Sequence, residues 1–317
     1  MRVAFDARCK TGKDPSFTRV LDLWQHAADI AKLDYTNWDG GVCTADVLIS
    51  PNSDIASVRG PLKVATLHDV NPLQPQPSSW LKRAPAIHKL KKVARNLQLN
   101  ADFIFTVSDF AKNEIARAFP ALGDKLFVVP NYPSPVFSPG PADQQLLRQC
   151  GLPNECVLFV SAIRKHKNWQ GLLTAWQQVD AGLRAKHPLV FVASRKKINS
   201  KLIGDDVVFT EHIDDSVLTN LYRSAKVMVF PSFAEGFGLP PVEALACHCP
   251  VISSSASCMP EILGNSVDYF DPLNVSALTE LITIKLNNPK QDVVQPRPWS
   301  PEITANRLSD FLTSIKS

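Results

Sequence analysis

Short apolar runs alternate with helical patterns along the chain, and this alternation constrains the possible fold more than any other feature. The runs Val47–Ile49 and Phe103–Val107 are each bounded by Asp and Ser, and further runs occur at Val157–Ser161 and Val227–Phe230. Between such runs, apolar residues recur at helical spacing, as in Ser108–Phe119 and Asp215–Ala225. Apolar strands that alternate with helices are typical of parallel sheets covered on both faces. The sequence therefore predicts an α/β fold.

A proline-rich stretch divides this pattern into two halves. The segment from Pro130 to Pro141 contains five prolines, and the alternation of strands and helices restarts after it. A chain of 317 residues also suits two domains of about 150 residues each. We predict two doubly wound domains, at residues 1–138 and 139–299. Domains of this kind bind ligands beyond the carboxyl ends of their strands.

Composition argues against several classes of protein. A net charge of +4 from 34 basic and 30 acidic residues is far from that of a dedicated nucleic-acid binder, so we expect no nucleic-acid partner. Seven cysteines lack the spacing of a disulfide framework, and Cys247-His248-Cys249 lacks the second ligand pair of a zinc site. We predict reduced thiols and no metal. No run approaches the roughly 18 apolar residues of a membrane span, which predicts a cytoplasmic protein.

One strongly basic segment allows two interpretations. Residues 80–100 show helical spacing of apolar residues and carry six Lys and Arg residues between positions 82 and 95. The first interpretation is a surface helix with a solvated basic face. The second is a helix that contacts an anionic membrane surface, which would place the protein at the inner face of the membrane. Pro85 predicts the start of this helix, because proline suits a first helical turn.

The segment from Phe230 to Ser253 carries the pattern of an anion site. An apolar strand ends at Phe230, Gly236 and Gly238 follow in a turn, and Pro240-Pro241 marks the start of a helix. Glycine lets a backbone approach a ligand closely, and the N-terminus of a helix adds partial positive charge. Strand, glycine turn and helix N-terminus together suit a diphosphate.

Two carboxylates bracket this glycine turn. Glu235 lies at its start, and Glu243 follows eight residues later, where the pattern predicts the first helical turn. Singly, Glu235 is interpreted as a solvated turn residue and Glu243 as a partner of the helix dipole. Together they favour a nucleotide-sugar site, because sugar and ribose hydroxyls can donate hydrogen bonds to carboxylates beside a diphosphate.

The stretch PSFAEGFGLPPVEALACHCPVIS resembles the E-x7-E signature of retaining glycosyltransferases of family 4, particularly the mannosyltransferase-like members. The segments DDSVLTNLYRSAKVMVFPS and SASCMPEILGNSVDYFDPLN on either side of the signature are similar too. TLHDV, VSDFAKNEI, VVPNY and PWSPEITANRLSDFL fall in the family's order. The resemblance covers most of the chain and implies a GT-B fold, with two Rossmann-like domains facing across a cleft. It also implies that a C-terminal helix near residues 300–317 packs back on the first domain.

The resemblance assigns roles on the donor side of such a site. Glu243 would bind the ribose and Glu235 the donor sugar, while Lys167 would stabilise the leaving diphosphate. Backbone amides would come from the glycine turn, at Gly236, Phe237, Gly238 and Leu239.

Three further positions follow from the same resemblance. His68, near the end of a strand in the first domain, would face the reacting sugar. A second phosphate-binding basic residue of many members falls near Ala162 here, so either Arg164 or His166 replaces it, or no residue does. His248 stands where a glycine usually ends the motif helix, which predicts a strained left-handed cap.

These roles imply an enzyme that transfers a hexose with retention. No D-x-D motif occurs in the chain, so we expect a metal-independent reaction without a cofactor. The favoured donor is GDP-mannose. The expected acceptor is a hydroxyl of a glycan or lipid-linked glycan in cell-surface polysaccharide synthesis. Two other interpretations stay open: a non-catalytic GT-B scaffold or donor-binding subunit, and a GT-B sugar-nucleotide epimerase.

Overall fold

The computed structural model describes residues 1–11, 15–54, 59–77, 79–195, 198, 203–211, 213–290, 293 and 299–316. The chain divides into two compact units. The first comprises Met1–Tyr132 together with Trp299–Ser317, and the second comprises Pro133–Pro298. Each unit contains a parallel sheet of six described strands. The predicted α/β class with two doubly wound units is therefore confirmed.

The first unit contains six short parallel strands and three longer helices. Its strands are β1 Val3–Asp6, β2 Tyr35–Trp38, β3 Val47–Ile49, β4 Leu62–Thr66, β5 Phe103–Thr106 and β6 Leu126–Val128. Its longer helices are α1 Pro15–Ile30, α2 Trp80–Asn100 and α3 Asp109–Ala118. The side chains of Val47–Ile49 are all buried, as expected for an apolar strand in the middle of a parallel sheet.

The second unit repeats this plan with more helices. Its strands are β7 Val157–Val160, β8 Leu189–Val192, β9 Val207–Thr210, β10 Val227–Phe230, β11 Val251–Ser254 and β12 Asp268–Phe270. Its helices are α4 Gln144–Gln149, α5 Trp169–Gln178, α6 Ala181–Lys186, α7 Asp215–Ser224, α8 Leu239–Ala246, α9 Met259–Leu263 and α10 Val275–Asn287. Phe159, Phe191 and Trp176 are fully buried in its core.

Strand order gives each sheet one point where the winding direction reverses. The first sheet has the order β2-β1-β3-β4-β5-β6, so the reversal lies between β1 and β3. The second has the order β12-β11-β10-β7-β8-β9, so the reversal lies between β7 and β10. In open α/β sheets, ligands bind in the crevice beyond the carboxyl ends of the strands at such a point. The strand order therefore predicts that ligands bind at the loops after β1, β3, β7 and β10.

The division between the units falls after Tyr132, six residues before the predicted boundary at residue 138. The Tyr132 hydroxyl donates to the Leu23 carbonyl in α1, which holds this residue on the first unit. Phe137 packs edge-on against Tyr222 with ring centroids 5.8 Å apart, and Arg223 donates to the Ser138 carbonyl at 2.9 Å. The segment that follows Tyr132 therefore packs with the second unit.

The C-terminal helix α11, Pro301–Ser314, packs on the first unit. Phe311 makes edge-to-face contacts with Phe103, Phe105 and Phe127 at centroid distances between 4.8 and 5.3 Å. The Thr304 hydroxyl donates to the Pro130 carbonyl at 2.8 Å. Aromatic contacts of this geometry add to the free energy gained by burying apolar area.

Two kinds of element differ from the sequence expectation. Helix α2 begins at Trp80 rather than at Pro85, which lies inside it. A proline this close to the N-terminus removes a hydrogen bond only near the end of the helix, where Leu81 and Lys82 are exposed. Strands β2 and β12 were not predicted, because edge strands such as YTNW and DYF lack a continuous apolar run.

Candidate functional site: a cation and two carboxylates around a glycine turn

Two of the predicted site residues meet where the second sheet reverses direction. Lys167 ends the short 3-10 turn Lys165–Lys167 after β7, and Glu235 lies in the loop after β10. The Lys167 Nζ is 2.7 Å from Glu235 Oε1 and 2.8 Å from Oε2. The side chains are only 17% and 8% exposed. A buried carboxylate with a bidentate cationic partner is well compensated, whereas removal of either partner would leave an unpaired charge.

A left-handed asparagine follows Lys167 and sets its backbone position. Asn168 has φ +51° and ψ +33° and is the N-cap of α5. Asparagine tolerates this conformation better than most residues. Its Nδ2 donates to the Pro272 carbonyl at 2.9 Å, which fixes the turn against the rest of the unit. The turn therefore presents Lys167 at a defined place.

The Glu235 loop is held by contacts that sequence reasoning did not find. The Glu235 amide donates to the Ser257 Oγ at 3.1 Å, and the Phe233 amide donates to the His166 carbonyl at 2.7 Å. Ser257 itself has a positive φ of +56°, which is uncommon for a serine. The second contact joins the two loops that carry Glu235 and Lys167. No local pattern distinguishes Ser257 from other serines.

Of the two glycines in the turn, only Gly238 requires a left-handed backbone. Its φ is +84°, and it is the N-cap of α8. This conformation favours glycine, and a Cβ at Gly238 would also lie 2.6 Å from the Met259 Cε and displace the end of that flexible side chain. Gly236 is buried and is not among the glycines with positive φ. Phe237 is buried, and Leu239 begins the helix.

Glu243 lies in the second turn of α8 and not in the first as predicted. The helix begins at Leu239 rather than at Pro241, which moves Glu243 to the fifth helical position. The dipole interpretation is therefore wrong, since that effect is confined to the first turn. Glu243 is 1% exposed. The Tyr222 hydroxyl donates to its Oε2 at 3.2 Å, which partly compensates the buried carboxylate.

The two candidates for a second phosphate cation differ in charge at neutral pH. Burial, with the Lys167 charge as the next contribution, lowers the pKa of His166 to about 4, so this imidazole is neutral at pH 7. Arg164 is exposed at the N-cap of the 3-10 turn. Arg164 is therefore the candidate that carries a positive charge beside Lys167.

The end of α8 has the left-handed cap expected where His248 replaces glycine. His248 has φ +56°. Its amide donates to the Leu245 carbonyl at 2.9 Å, and the Cys249 amide donates to the Ala244 carbonyl at 2.9 Å. These two bonds form a Schellman motif. Non-glycine residues carry a conformational cost in this region, so the predicted strain is present.

The cysteines near this cap are neutral thiols. Burial raises the pKa of both Cys247 and Cys249 to about 12. All seven cysteines are free. Within the described ranges, no three His, Cys, Asp or Glu side chains are grouped so that they could hold a metal ion.

His68, the remaining predicted site residue, belongs to the first unit and follows β4. Its Nε2 donates to the Pro51 carbonyl at 2.8 Å, because a carbonyl can only accept. Its ring lies 5.7 Å from that of Phe17. The imidazole is half-buried. The structure of the second unit alone brings Lys167 and Glu235 together at the start of the glycine turn, and Glu243 lies in the helix that follows this turn.

Comparisons with known proteins match the part of the chain that carries these residues. Residues 151–295 match the family model described as glycosyl transferases group 1. O-antigen chain mannosyltransferase B of Escherichia coli is 30% identical over 200 residues, which are 60% of this chain and 52% of that protein. O-antigen chain mannosyltransferase RfbU of Salmonella typhimurium is 27% identical over 65% of this chain and 56% of its own. The matched regions thus span about half of the length of these relatives.

A solved structure extends the likeness to the whole fold. Anabaena Alr3699/HepE, in complex with UDP-glucose, superposes with a TM-score of 0.73 at 15% identity, covering 99% of this chain and all of that protein's chain. At this identity the likeness concerns the fold, and it confirms the predicted GT-B fold. Residues 151–295, which include Lys167, Glu235 and Glu243, thus match the glycosyl transferases group 1 model, in line with the resemblance seen in the sequence.

Proposed function

We propose that this protein is a retaining, metal-independent glycosyltransferase that moves a hexose from a nucleotide-diphosphate sugar to a hydroxyl of a glycan. The ion pair of Lys167 with Glu235 at the reversal point of the second sheet carries this proposal. A cation for the diphosphate and a carboxylate for sugar hydroxyls lie there side by side. The match to the group 1 family and the mannosyltransferase relatives support the same activity.

In this proposal the donor is bound by groups of the second unit. Lys167, assisted by Arg164, interacts with the diphosphate, and Glu235 accepts hydrogen bonds from the donor sugar. Amides of the turn from Gly236 to Leu239 bind sugar and phosphate oxygens, and Glu243 binds the ribose hydroxyls. The burial of Glu243 and Glu235 supports these roles. A hydrogen bond from a hydroxyl group to a carboxylate is stronger where water is excluded, because the local dielectric constant is lower there.

The proposed reaction keeps the configuration at the anomeric carbon. The bond from that carbon to the phosphate oxygen breaks, and the acceptor oxygen bonds to the same face. The proton of the acceptor hydroxyl passes to the leaving phosphate oxygen. Lys167 stabilises the charge that develops on this phosphate. A covalent intermediate on Glu235 is the less favoured mechanism, and His68 is proposed to contact the reacting sugar.

Mannose is the proposed sugar and GDP-mannose the proposed donor. The names of the matched relatives support mannose, whereas the structural neighbour binds UDP-glucose. We propose a glycan or lipid-linked glycan acceptor in cell-surface polysaccharide synthesis, in line with the O-antigen enzymes among the relatives.

The test compares GDP-mannose, GDP-glucose, UDP-glucose and UDP-galactose as donors with the full chain. Thermal shifts report binding, and hydrolysis without acceptor reports activation of the sugar–phosphate bond. We expect the largest shift and the fastest hydrolysis with GDP-mannose. Glu235→Gln should abolish hydrolysis, whereas Glu280→Gln, an exposed glutamate of α10, should not change it.

Each alternative has its own outcome in this experiment. Binding without hydrolysis by the wild-type protein would indicate a donor-binding subunit or scaffold. Conversion of the donor into its epimer would indicate an epimerase. No shift with any donor would contradict the proposed function as a whole.

We further propose that the first unit contacts an anionic membrane surface through α2, where a lipid-linked acceptor would lie. This helix contains six Lys and Arg residues and no acidic residue. Opposite its buried residues, one exposed stripe recurs at helical spacing and comprises Leu81, Pro85, His88, Lys92, Arg95 and Leu99. Arg83 is not part of this basic face, because it donates to the Pro72 and Gln74 carbonyls. No helix among the described residues is both long and apolar enough to cross a membrane.

Membrane attraction of this kind is electrostatic and amounts to about 1 kcal/mol per basic residue near the surface. We expect the protein to sediment with vesicles of phosphatidylglycerol and phosphatidylcholine in low-salt buffer. Salt at about 0.5 M should release it, because the added ions screen the attraction between the basic residues and the lipid headgroups. Changing Lys92 and Arg95 of this stripe, together with the exposed Lys89 next to it, to glutamine should abolish sedimentation. The same change at the exposed Arg148, Lys186 and Arg307 should not. Equal loss in both variants would contradict membrane contact through α2.

We also propose a cytoplasmic location, which the seven free thiols fit.

A further inference from the structure

Glu235 and Lys167 balance each other's charge in a place with little access to water. Their side chains are 8% and 17% exposed. The Lys167 Nζ donates to both carboxylate oxygens, at 2.7 Å and 2.8 Å, and lies 5.8 Å from the centroid of the buried Phe230 ring. In the described part of the chain, no other group donates to these two oxygens. The charge of Glu235 is therefore compensated by a single lysine.

The carboxylate at the reversal point of the first sheet has more than one partner. Asp6, the last residue of β1, is 1% exposed. Arg8 donates to it from Nε at 2.9 Å and from Nη2 at 2.7 Å, and Ser50 donates its hydroxyl to Oδ2 at 2.9 Å. If a ligand drew Arg8 away, the bond from Ser50 would remain. If a ligand drew Lys167 away, Glu235 would become an unpaired buried charge, which is costly.

The backbone near Glu235 is anchored, so its carboxylate has little freedom to find another partner. The Glu235 amide donates to the Ser257 Oγ at 3.1 Å, and the Phe233 amide donates to the His166 carbonyl at 2.7 Å. The imidazole of His166 does not supply a second positive charge at neutral pH, because burial lowers its pKa to about 4. Compensation of Glu235 thus depends on Lys167 or on groups that a ligand brings.

This dependence gives different binding costs to two ligands of the proposed donor site. A nucleoside diphosphate brings negative charge to Lys167 but no sugar hydroxyl to Glu235. Whether it draws the ammonium away or shares it, two negative groups then compete for one cation where little water is available. A sugar nucleotide also brings sugar hydroxyls, which can donate to the carboxylate in place of the lysine. The carboxylate therefore opposes the first ligand more than the second.

We infer that the ion pair of Lys167 with Glu235 makes the donor site select a sugar nucleotide over the bare nucleoside diphosphate that the reaction releases. This inference rests on the proposed glycosyltransferase function. It gives Glu235 a second effect besides its contact with the sugar, because the carboxylate weakens binding of the product. The sugar and the diphosphate should also strengthen each other's binding, since coupling between two ligands is reciprocal.

The experiment measures, by calorimetry on the full chain, the dissociation constants of GDP and GDP-mannose and those of UDP and UDP-glucose. For the pair of ligands that the wild type binds, Glu235→Gln should bind the diphosphate at least about tenfold more tightly, because Lys167 no longer has a competing carboxylate. Affinity for the sugar nucleotide should rise less or fall, because a neutral amide is a weaker acceptor of sugar hydroxyls than a carboxylate.

The matched control is Asp206→Asn. Asp206 forms an ion pair with Arg184 at 2.7 Å in the same unit, and its side chain is also largely buried. It lies directly before β9, at the amino edge of the sheet, whereas Glu235 follows the carboxyl end of β10. This substitution should change neither dissociation constant.

A measurement on the wild type alone covers the case in which Glu235→Gln does not fold. Free mannose or glucose at high concentration can supply hydroxyls to Glu235, so the diphosphate should bind more tightly in its presence. An unchanged ratio of the two constants in Glu235→Gln would overturn the inference. If that variant does not fold, the absence of any effect of free sugar would overturn it. A wild type that binds neither diphosphates nor sugar nucleotides would contradict the proposed function.

Discussion

In each unit a cation and a carboxylate meet where the strand order reverses, but the two pairs are assembled differently. Arg8 and Asp6 are two residues apart in sequence, so a single strand end and the turn after it suffice to bring them together. Lys167 and Glu235 are 68 residues apart, and their contact depends on β7 and β10 becoming neighbours. An ion pair at the carboxyl edge of a sheet can thus form between residues close in sequence, as in the first unit, or between distant segments, as in the second.

The surroundings of the two pairs differ as well. Asp6 is compensated by Arg8 and by the hydroxyl of Ser50. The Glu235 loop depends on Ser257, which lies in a further loop, and on the carbonyl of His166 in the turn that carries Lys167. The second pair is therefore sensitive to changes at several separate positions, and the predictions below use this sensitivity.

The largest expected effect is on the rate of donor hydrolysis, which should depend on Lys167 and not on Arg8. Lys167→Met should lower donor hydrolysis by about 10²–10³-fold, because it removes a charge that stabilises the leaving phosphate. Arg8→Lys should leave donor hydrolysis unchanged. The measurement is the initial rate with GDP-mannose without acceptor, with Lys165→Met in the same turn as control. Equal losses for Lys167→Met and Arg8→Lys would mean that the two pairs serve one site in the same way.

The next effect concerns acid stability. The folded pKa of His166, about 4, lies below its ordinary value of 6.5 because burial disfavours the charged form. Between these values the unfolded chain binds a proton that the folded chain does not, so stability falls as pH falls through this window. We expect a loss of roughly 2 kcal/mol between pH 7.5 and pH 5. Urea unfolding at both pH values measures it.

His166→Gln should remove this component of the pH dependence, because glutamine does not titrate. His88→Gln, at an exposed position on α2, is the matched control and should retain it. An unchanged slope in His166→Gln would show that the acid sensitivity arises elsewhere.

A smaller effect tests the support of Glu243. Tyr222→Phe removes the hydroxyl that donates to the buried carboxylate, and hydrogen bonds to charged groups contribute about 1.5–3 kcal/mol. We expect about tenfold weaker binding of GDP and a reduced preference for GDP over its 2′,3′-dideoxy form, measured by calorimetry. Tyr269→Phe, which loses a hydroxyl bonded to the Gly264 carbonyl, should keep that preference. An unaltered preference in Tyr222→Phe would contradict the positioning role.

The smallest effect is a stabilisation. His248 is exposed and has φ +56°, so glycine should relieve a left-handed conformation at a gain of about 1 kcal/mol. The urea midpoint should rise without a change in donor hydrolysis. Ser257→Gly, at the same φ, should slow hydrolysis because the Glu235 amide loses its acceptor. If both substitutions affect activity alike, Ser257 has no specific part in the site.

The sequence by itself determined the fold class, the glycine turn and the residue types around it. Apolar runs and helical spacing are local patterns, and Gly238 with Pro240 and Pro241 marks a helix start within a few residues. The helix start itself was misplaced by two residues, which was enough to put Glu243 in the wrong turn. The edge strands were missed because partly exposed strands need no continuous apolar run.

Only the tertiary structure decided which of these residues meet. The ion pair of Lys167 with Glu235 and the bond from Tyr222 to Glu243 join segments that are 68 and 21 residues apart. Such contacts follow from strand order and helix packing, which no window of sequence contains. The pair of Arg8 with Asp6 is local, yet its place at the reversal point of the first sheet depends on β3 lying beside β1. The sequence states which residue types occur at each strand end, whereas the order of the strands in the sheet determines which of these residues become neighbours.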